Sequence, residues 1–364
     1  MKHGNNSPNI NLDLKKLVFI SLTNSAGGAE NVLLMMANIN NSPLIFLKQV
    51  FSAGLHFNKN QEVQYLNKKS IFIGFIFLLA RLFHYRRGYI IVSSHPYLNA
   101  YLGFLKRVGF LKSVLVAREC TSIFTRYKGL KKLSYQIAYK LGYNSHSLII
   151  CQTDVMRNQL LEHNKFISPN KVVILENPID IEHVKKGAVE FISDDDLKSS
   201  FICAAGRLIP EKGFSILIKA FADIAPEHKN LRLIILGDGP EKNNLLQIIK
   251  QLSLLDRVIL KGHVNNPFPY FKQAKLCVVS SIQEGFPNVL LQMMAVNKCV
   301  LSTLCAGGIE EITTIIKTEV NNVNALRSAI SSALNQSCKF EQGNDYFKNR
   351  TPDIFLNTVL KNIG

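Results

Sequence analysis

Several features are missing from this chain of 364 residues, and each absence closes off a class of function. No apolar run approaches the roughly 20 residues needed to span a bilayer. The longest, residues 71–80, is bounded by Lys68 and Lys69 on one side and Arg81, Arg86 and Arg87 on the other. Residues 1–14 are polar and Asn-rich and lack an apolar h-region, so no signal peptide is read there. The seven cysteines include no CxxC pair, which leaves neither a zinc site nor a redox site indicated. Cys151, Cys203, Cys277 and Cys299 fall in apolar runs, where a free thiol behaves as a small hydrophobe, and the reducing cytosol is the expected compartment. No solenoid repeat is visible.

Acid is scarce in one half only. Residues 1–177 hold 22 Lys/Arg against 7 Asp/Glu, whereas residues 178–364 hold 21 against 19. A basic half beside a near-neutral one predicts an anionic surface or partner met by the first half. No nucleic-acid-binding motif accompanies that charge, so nucleic acid is not expected as the partner.

The length favours two domains, and short apolar runs alternate with helical patterns throughout. In the first half the runs are residues 17–21, 44–47, 89–93, 113–117, 147–151 and 171–175. In the second they are 201–205, 231–236, 257–260, 276–280 and 299–303. Continuous apolarity fits strands covered on both faces, as in parallel sheets. The expected fold class is therefore α/β, with two doubly wound Rossmann-like domains facing across a ligand-binding cleft. The break is placed near Asn177-Pro178, because proline biases the residue before it away from helix. The acidic Asp194-Asp195-Asp196 then precedes the first strand of the second domain. The domains are 1–177 and 178–364, with the last helix a candidate to return to the first.

The densest chemistry lies in Glu284-Gly285-Phe286-Pro287-Asn288-Val289, followed by Gln292. This stretch leaves an apolar run and opens a helix, with Pro287 suited to the first turn. A helix start leaves backbone N–H groups unpaired beside a partial positive charge, a natural phosphate seat. Glu284 stands at its lip and Gln292 about one turn inside. Gly206-Arg207-Leu208-Ile209-Pro210-Glu211-Lys212-Gly213 follows the first strand of the second domain. Arg207 offers a planar fork of donors and Lys212 a mobile charge, which together suit a diphosphate; alone, the loop also reads as a solvated basic turn. Gly237-Asp238-Gly239 lacks the full GxGxxG and reads as a tight turn.

Taken in order, GRL-x-x-EKG, LGDGP, EGFPN-x-x-x-Q and Gly307-Gly308-Ile309-Glu310-Glu311-Ile312 resemble the donor half of the retaining family-4 glycosyltransferases of GT-B fold, the glycosyl transferases group 1. The match covers roughly residues 200–312. More loosely, Gly27-Gly28-Ala29-Glu30 resembles that family's glycine loop, Ser94-His95-Pro96 its histidine loop and Asn177-Pro178-Ile179-Asp180 its hinge. The resemblance implies that Arg207 and Lys212 neutralise a nucleotide diphosphate and that Glu284 contacts the donor sugar. Gly27, Gly28, Gly206, Gly285 to Val289 and Gln292 would line the donor site, with Gly262 and His263 flanking the base. At Gln292 the family usually has an acid that holds the ribose hydroxyls; an amide still hydrogen-bonds but loses charge assistance. His95 is a candidate catalytic residue facing the cleft, although a lone histidine also serves as an ordinary loop residue. Arg118 and Glu119, at another strand end, read as either acceptor-side cleft lining or a buried ion pair.

The implied activity is transfer of a sugar, with retention, from a UDP- or GDP-type nucleotide sugar to a lipid-linked or cell-surface polysaccharide acceptor such as O-antigen, capsule or lipopolysaccharide. No cofactor is called for, and no metal-ligand cluster is positioned among these motifs. Residues 68–87, and Arg126, Lys128, Lys131, Lys132 and Lys140 interleaved with tyrosines, fit the interface of an anionic membrane. The alternative for residues 71–83 is a helix packed on the sheet. The expected location is cytoplasmic and peripheral on the inner face of the cell membrane. A second reading, a catalytically impaired scaffold acting as an accessory subunit, rests on Gln292 and on the glycine-free segment 313–324.

Overall fold

The computed structural model describes residues 16–25, 27–51, 55, 57–121, 123–191, 199–335 and 344–363. The expectations for residues 1–14 and for Asp194-Asp195-Asp196 lie outside them. The chain divides into two compact units. One comprises Met1–Cys151, Arg157–Glu176 and Pro352–Gly364; the other comprises Gln152–Met156 and Asn177–Thr351.

The first unit holds β1 (Leu17–Thr23), β2 (Leu44–Lys48), β3 (Val63–Asn67), β4 (Ile90–Ser93), β5 (Val114–Arg118), β6 (Leu148–Cys151) and β7 (Val172–Ile174). They form one parallel sheet in the order β3-β2-β1-β4-β5-β6-β7. Its helices are α1 (Gly28–Asn40), α2 (Ile71–Leu82), α3 (Pro96–Arg107), α4 (Ile123–Arg126), α5 (Gly129–Gly142) and α6 (Asp154–His163), whose first turn counts with the other unit. The second unit holds α7 (Ile181–Gly187), β8 (Ser200–Ala205), α8 (Phe214–Ile224), β9 (Leu231–Leu236), α9 (Lys242–Gln251), β10 (Val258–Gly262), α10 (Phe268–Gln273) and β11 (Leu276–Val279). After these come α11 (Asn288–Val296), β12 (Val300–Thr303), β13 (Ile316–Thr318), α12 (Val323–Asn335) and α13 (Asn344–Phe347). Its parallel sheet runs β10-β9-β8-β11-β12-β13.

The continuous apolar runs became the strands covered on both faces, as parallel packing requires. Two strands absent from that reading, β3 and β13, each lie at a sheet edge. Gln64 and Lys317 interrupt their apolarity, which an edge strand tolerates because it is less enclosed. β13 also occupies part of the glycine-free segment 313–324. The final helix, α14 (Pro352–Ile363), packs on α1 within the first unit, where Phe355, Leu356, Val359 and Leu360 join the core formed by Leu17, Phe19 and Val32. Cys151, Cys203 and Cys277 are buried free thiols, and burial pushes the thiols of Cys151 and Cys203 well up. Cys299 departs from the free-thiol expectation and is disulfide-bonded.

One helix crossing is fixed by glycine on both sides. A Cβ on Gly142 of α5 would lie 2.0 Å from the Ala100 carbonyl oxygen of α3, and one on Gly103 would lie 2.1 Å from that of Gly142. Gly142→Ala should therefore overpack the crossing and cost roughly 1–3 kcal/mol. In thermal denaturation this is a fall of about 2–4 °C per kcal/mol for a unit of this size. An unchanged midpoint would contradict the packing described.

Candidate functional site

In a parallel α/β sheet the ligand crevice opens at the carboxyl ends of the strands where the strand order reverses. In the second unit that point lies between β8 and β11, paired through Leu276–Ile202 and Cys277–Cys203. The loop leaving β8 passes Gly206, forms a 3-10 turn over Pro210–Lys212 and enters α8 through Gly213. Gly213 is left-handed (φ 62°), and a Cβ there would stand 2.1 Å from the Ser280 carbonyl oxygen. Only glycine lets these two loops close on each other. The loops are then tied: Ile282 N–H donates to the Glu211 carbonyl (2.7 Å), and Ser280 Oγ donates to the Lys212 carbonyl (2.9 Å).

This closure brings Lys212 Nζ to 2.5 Å from Glu284 Oε1, with both side chains mostly shielded from solvent. Ser281 Oγ donates to the same carboxylate oxygen at 2.7 Å. Thr303 Oγ1 in turn donates to the Ser281 carbonyl (2.5 Å), and Glu284 N–H donates to the Cys305 carbonyl (2.8 Å). The Lys212 stem runs beside Gly206, where an added Cβ would be 3.2 Å from its Cε. Burial, with a smaller contribution from the Glu284 charge, pushes the Cys305 thiol up to about 12, so it stays protonated. The arrangement is a charged pair poised at a loop edge, able to offer an ammonium to a phosphate and a carboxylate to a sugar.

The other residues of the second unit expected at a donor site lie on loops, at the end of β10 and in α11 of the same unit. α11 begins at Asn288, with Pro287 one position earlier than the first turn expected of it and extended (ψ 102°). Phe286 and Pro287 are buried, while Gly285, Asn288, Val289 and Gln292 are half-buried. Asn288 Oδ1 accepts a hydrogen bond from Asn177 Nδ2, and Asn177 also donates to Gln152 Oε1 at 3.4 Å. The Arg350 guanidinium lies 5.8 Å from the Phe286 ring centre and 4.0 Å from that of Tyr346, bracing the loop from behind. Gly262, at the end of β10, accepts from Gly237 N–H (2.7 Å), and His263 is exposed. Arg207 is also exposed. Among the described residues no hydrogen bond joins Arg207, Gln292 or His263 to the Lys212–Glu284 pair.

Sequence reasoning passed over Ser281, Thr303, Gln152 and Arg350, and read Asn177 as a domain break and hinge, not as a partner of Asn288. Only Ser281 left a local signal, a hydroxyl three residues before Glu284 at a strand end. The partners of the others come from distant segments, 111 residues apart in the case of Asn177 and Asn288.

In the first unit the order reverses between β1 and β4. The loop after β1 leads to Gly27, which precedes α1, and to Gly28, its exposed first residue. Ser21 Oγ donates to Glu30 Oε1 at 3.3 Å, and burial raises the Glu30 carboxyl above its usual range. The loop after β4 presents His95, whose Nδ1 accepts Tyr97 N–H at 3.3 Å and so caps α3. Desolvation lowers His95 to about 4, so the ring is neutral at neutral pH with its proton on Nε2, a donor aimed away from the cap.

Arg118 and Glu119 are both buried rather than lining a surface. The Glu119 carboxylate accepts hydrogen bonds from Tyr139 and Tyr143, each at 2.5 Å, and burial raises it. It serves as an internal anchor for α5. Arg118 Nη1 donates to Cys120 Sγ at 2.9 Å.

Residues 186–350 match the family model described as Glycosyl transferases group 1. A curated relative, the N-acetylgalactosamine-N,N'-diacetylbacillosaminyl-diphospho-undecaprenol 4-alpha-N-acetylgalactosaminyltransferase of Campylobacter jejuni, is 32% identical over 240 residues, 64% of each chain. The capsular polysaccharide biosynthesis glycosyltransferase CapM of Staphylococcus aureus is 23% identical over 250 residues, covering 64% of this chain and 62% of CapM. Each match thus spans less than two thirds of the relative's length. The crystal structure of Anabaena HepE in complex with UDP and glucose superposes with a TM-score of 0.78 at 17% identity, covering 95% of this chain and 98% of HepE. The fold is α/β and GT-B, as the sequence resemblance implied.

The His95 environment has a pH consequence. Its folded value, near 4, lies below the ordinary 6.5, so its contribution to stability is complete above 6.5 and is lost as pH falls from 6.5 towards 4. His146, wholly buried and also near 4, acts in the same direction. His95→Asn keeps a capping acceptor without the titration and should flatten part of this acid limb in denaturation curves. NMR titration should place the His95 ring near 4; a value near 6.5 would refute the desolvated neutral ring.

Proposed function

From a glycosyl transferases group 1 domain over residues 186–350, we propose that this protein transfers a sugar from a UDP- or GDP-type nucleotide sugar to a lipid-linked or cell-surface polysaccharide acceptor, with retention. The observation that carries the reading is the 2.5 Å contact between Lys212 and Glu284 at the β8–β11 reversal, beside the start of α11. The printed activities of the Campylobacter and Staphylococcus relatives, on a diphospho-undecaprenol glycan and in capsule synthesis, support a glycan acceptor of that class. The bound UDP of HepE supports a nucleotide-sugar donor.

In this mechanism the bond between the sugar's anomeric carbon and the diphosphate oxygen breaks. The acceptor hydroxyl oxygen bonds to that carbon from the same face, and its proton passes to the departing diphosphate. Negative charge grows on the diphosphate, where Arg207, Lys212 and the N–H groups opening α11 stabilise it without a metal. Lys212 leaves Glu284 for the phosphate, freeing the carboxylate to orient the sugar and offset its developing positive charge. The neutral His95 Nε2–H would contribute a hydrogen bond to substrate. The basic first unit would hold the enzyme peripherally at an anionic membrane on the cytoplasmic side. The retained Arg207, Lys212 and Glu284 weigh against a scaffold that has lost catalysis.

Lys212→Ala and Arg207→Ala should each lower nucleotide release from a cognate donor by about 10²-fold or more, with circular dichroism unchanged. Near-normal turnover in both would sink the assignment. Gln292→Glu should tighten nucleotide diphosphate binding by up to about tenfold in calorimetry, the gain of a charge-assisted bond over a neutral one. A wild type that binds no nucleotide while Gln292→Glu does would instead mark Gln292 as the trace of lost activity.

A further inference from the structure

One surface of the first unit takes no part in the donor chemistry. α2 and α3 cover the same face of the sheet, where Leu78, Leu82, Leu98 and Leu102 share a core with Ile20 and Ile45. They are neighbours: Tyr101 OH of α3 donates to the Phe75 carbonyl of α2 at 3.2 Å. α5 flanks α3 on the other side, with Tyr97 OH 2.7 Å from Ser134 Oγ and the glycine crossing described above. The three helices form one layer.

The outer side of that layer is apolar where a soluble protein is normally polar. α2 buries Gly74, Leu78 and Leu82, spaced four apart against β2 and β3. The opposite side turns Phe72 (85% exposed), Ile76 (69%) and, just past the helix, Phe83 (67%) to solvent. Leu130 (85%) and Ile137 (52%) do the same on α5. Contiguous exposed apolar residues rimmed by polar ones mark a docking surface.

The rim has one sign of charge. Residues 63–153 contain 14 lysines and arginines and a single acid, Glu119, which is buried under Tyr139 and Tyr143. Lys68, Lys69 and Arg87 stand exposed at the two ends of α2, and Lys131 and Lys140 on α5. A second copy would bring two acid-free cationic faces together and be repelled. Interleaved cations and large apolar side chains complement one partner on both counts, a bilayer bearing anionic headgroups. α2, at 12 residues, is about 18 Å long and cannot cross a hydrocarbon core of about 30 Å. Among the described residues no helix is long and apolar enough to do so.

We infer that the outer face of α2, α3 and α5 seats on an anionic lipid bilayer. α2 lies in the plane of the interface, with Phe72, Ile76 and Phe83 at the acyl boundary and the flanking lysines and arginines at the phosphates. The inference deepens the peripheral placement proposed above and rests on it. It adds which side chains enter the membrane and in which orientation.

The chain has no tryptophan, so Phe72→Trp installs a single reporter. With phosphatidylglycerol–phosphatidylcholine vesicles its emission should shift to the blue and be quenched by lipids brominated in the acyl chain. With pure phosphatidylcholine both effects should fall at least tenfold at equal lipid. Phe72→Ser/Ile76→Ser should weaken sedimentation with the anionic vesicles at least tenfold, and Lys131→Glu/Lys140→Glu should do likewise. Neither pair should alter the melting midpoint or the release of nucleotide from donor in the absence of membrane. Unquenched emission, equal binding to neutral vesicles, or vesicle binding untouched by the Phe72/Ile76 pair would each overturn the inference. So would capture by a membrane protein in detergent without affinity for lipid vesicles. Because donor turnover is read separately, lost vesicle binding with intact turnover rejects only the seat, and intact binding without turnover rejects only the proposed activity.

Discussion

Backbone pairing between β8 and β11 is the interaction on which the site depends. Those strands are distant in sequence, yet their ladder is the seam where strand order reverses and successive connections part to opposite sides. The loops leaving them therefore end side by side. A glycine that accepts a left-handed conformation, and two hydrogen bonds between loops, then fix the approach. Lys212 and Glu284, 72 residues apart, meet because of the ladder. The first unit repeats the device at β1 and β4, where the seam presents the glycine pair that opens α1 and His95, the cap of α3.

Charge is handled in opposite ways in the two units. Beside α11, Lys212 and Glu284 are paired with each other yet each keeps part of its side chain open to solvent, so that each can exchange its partner for a ligand. Inside the first unit Glu119 is sealed under two tyrosine hydroxyls, and His95 is desolvated into its neutral form. The former arrangement suits groups that must move during a reaction. The latter suits groups that hold a helix in place, or that donate one hydrogen bond without carrying charge.

Much of this was legible in the sequence, for definable reasons. Strands enclosed on both faces leave uninterrupted apolar runs, and ligand loops at strand ends leave glycines and charges at fixed distances from them. The edge strands β3 and β13 escaped because partial enclosure permits Gln64 and Lys317. Arg118 and Glu119 were ambiguous because a strand end can point its first residues inward as readily as outward, and tyrosines 20 and 24 residues downstream of Glu119 decided the matter. Thr303 and Arg350, which support the loop before α11, were illegible, and Asn177 was legible only as a hinge, because their contacts exist only once remote segments are packed together.

The placement of α14 has a consequence for how the chain is made. The apolar side of α1 is covered by a helix that follows it in sequence only after the whole second sheet. During translation the first unit waits, with Val32, Met36 and their neighbours lacking part of their cover, while the second unit already has its complete set of strands. The usual order of N-terminal domain first is thereby reversed at its final step. Removing residues 352–363 would leave every strand of the second sheet in place while uncovering Val32 and Met36 of α1, so the first unit completes its core only with a segment that follows the second in sequence.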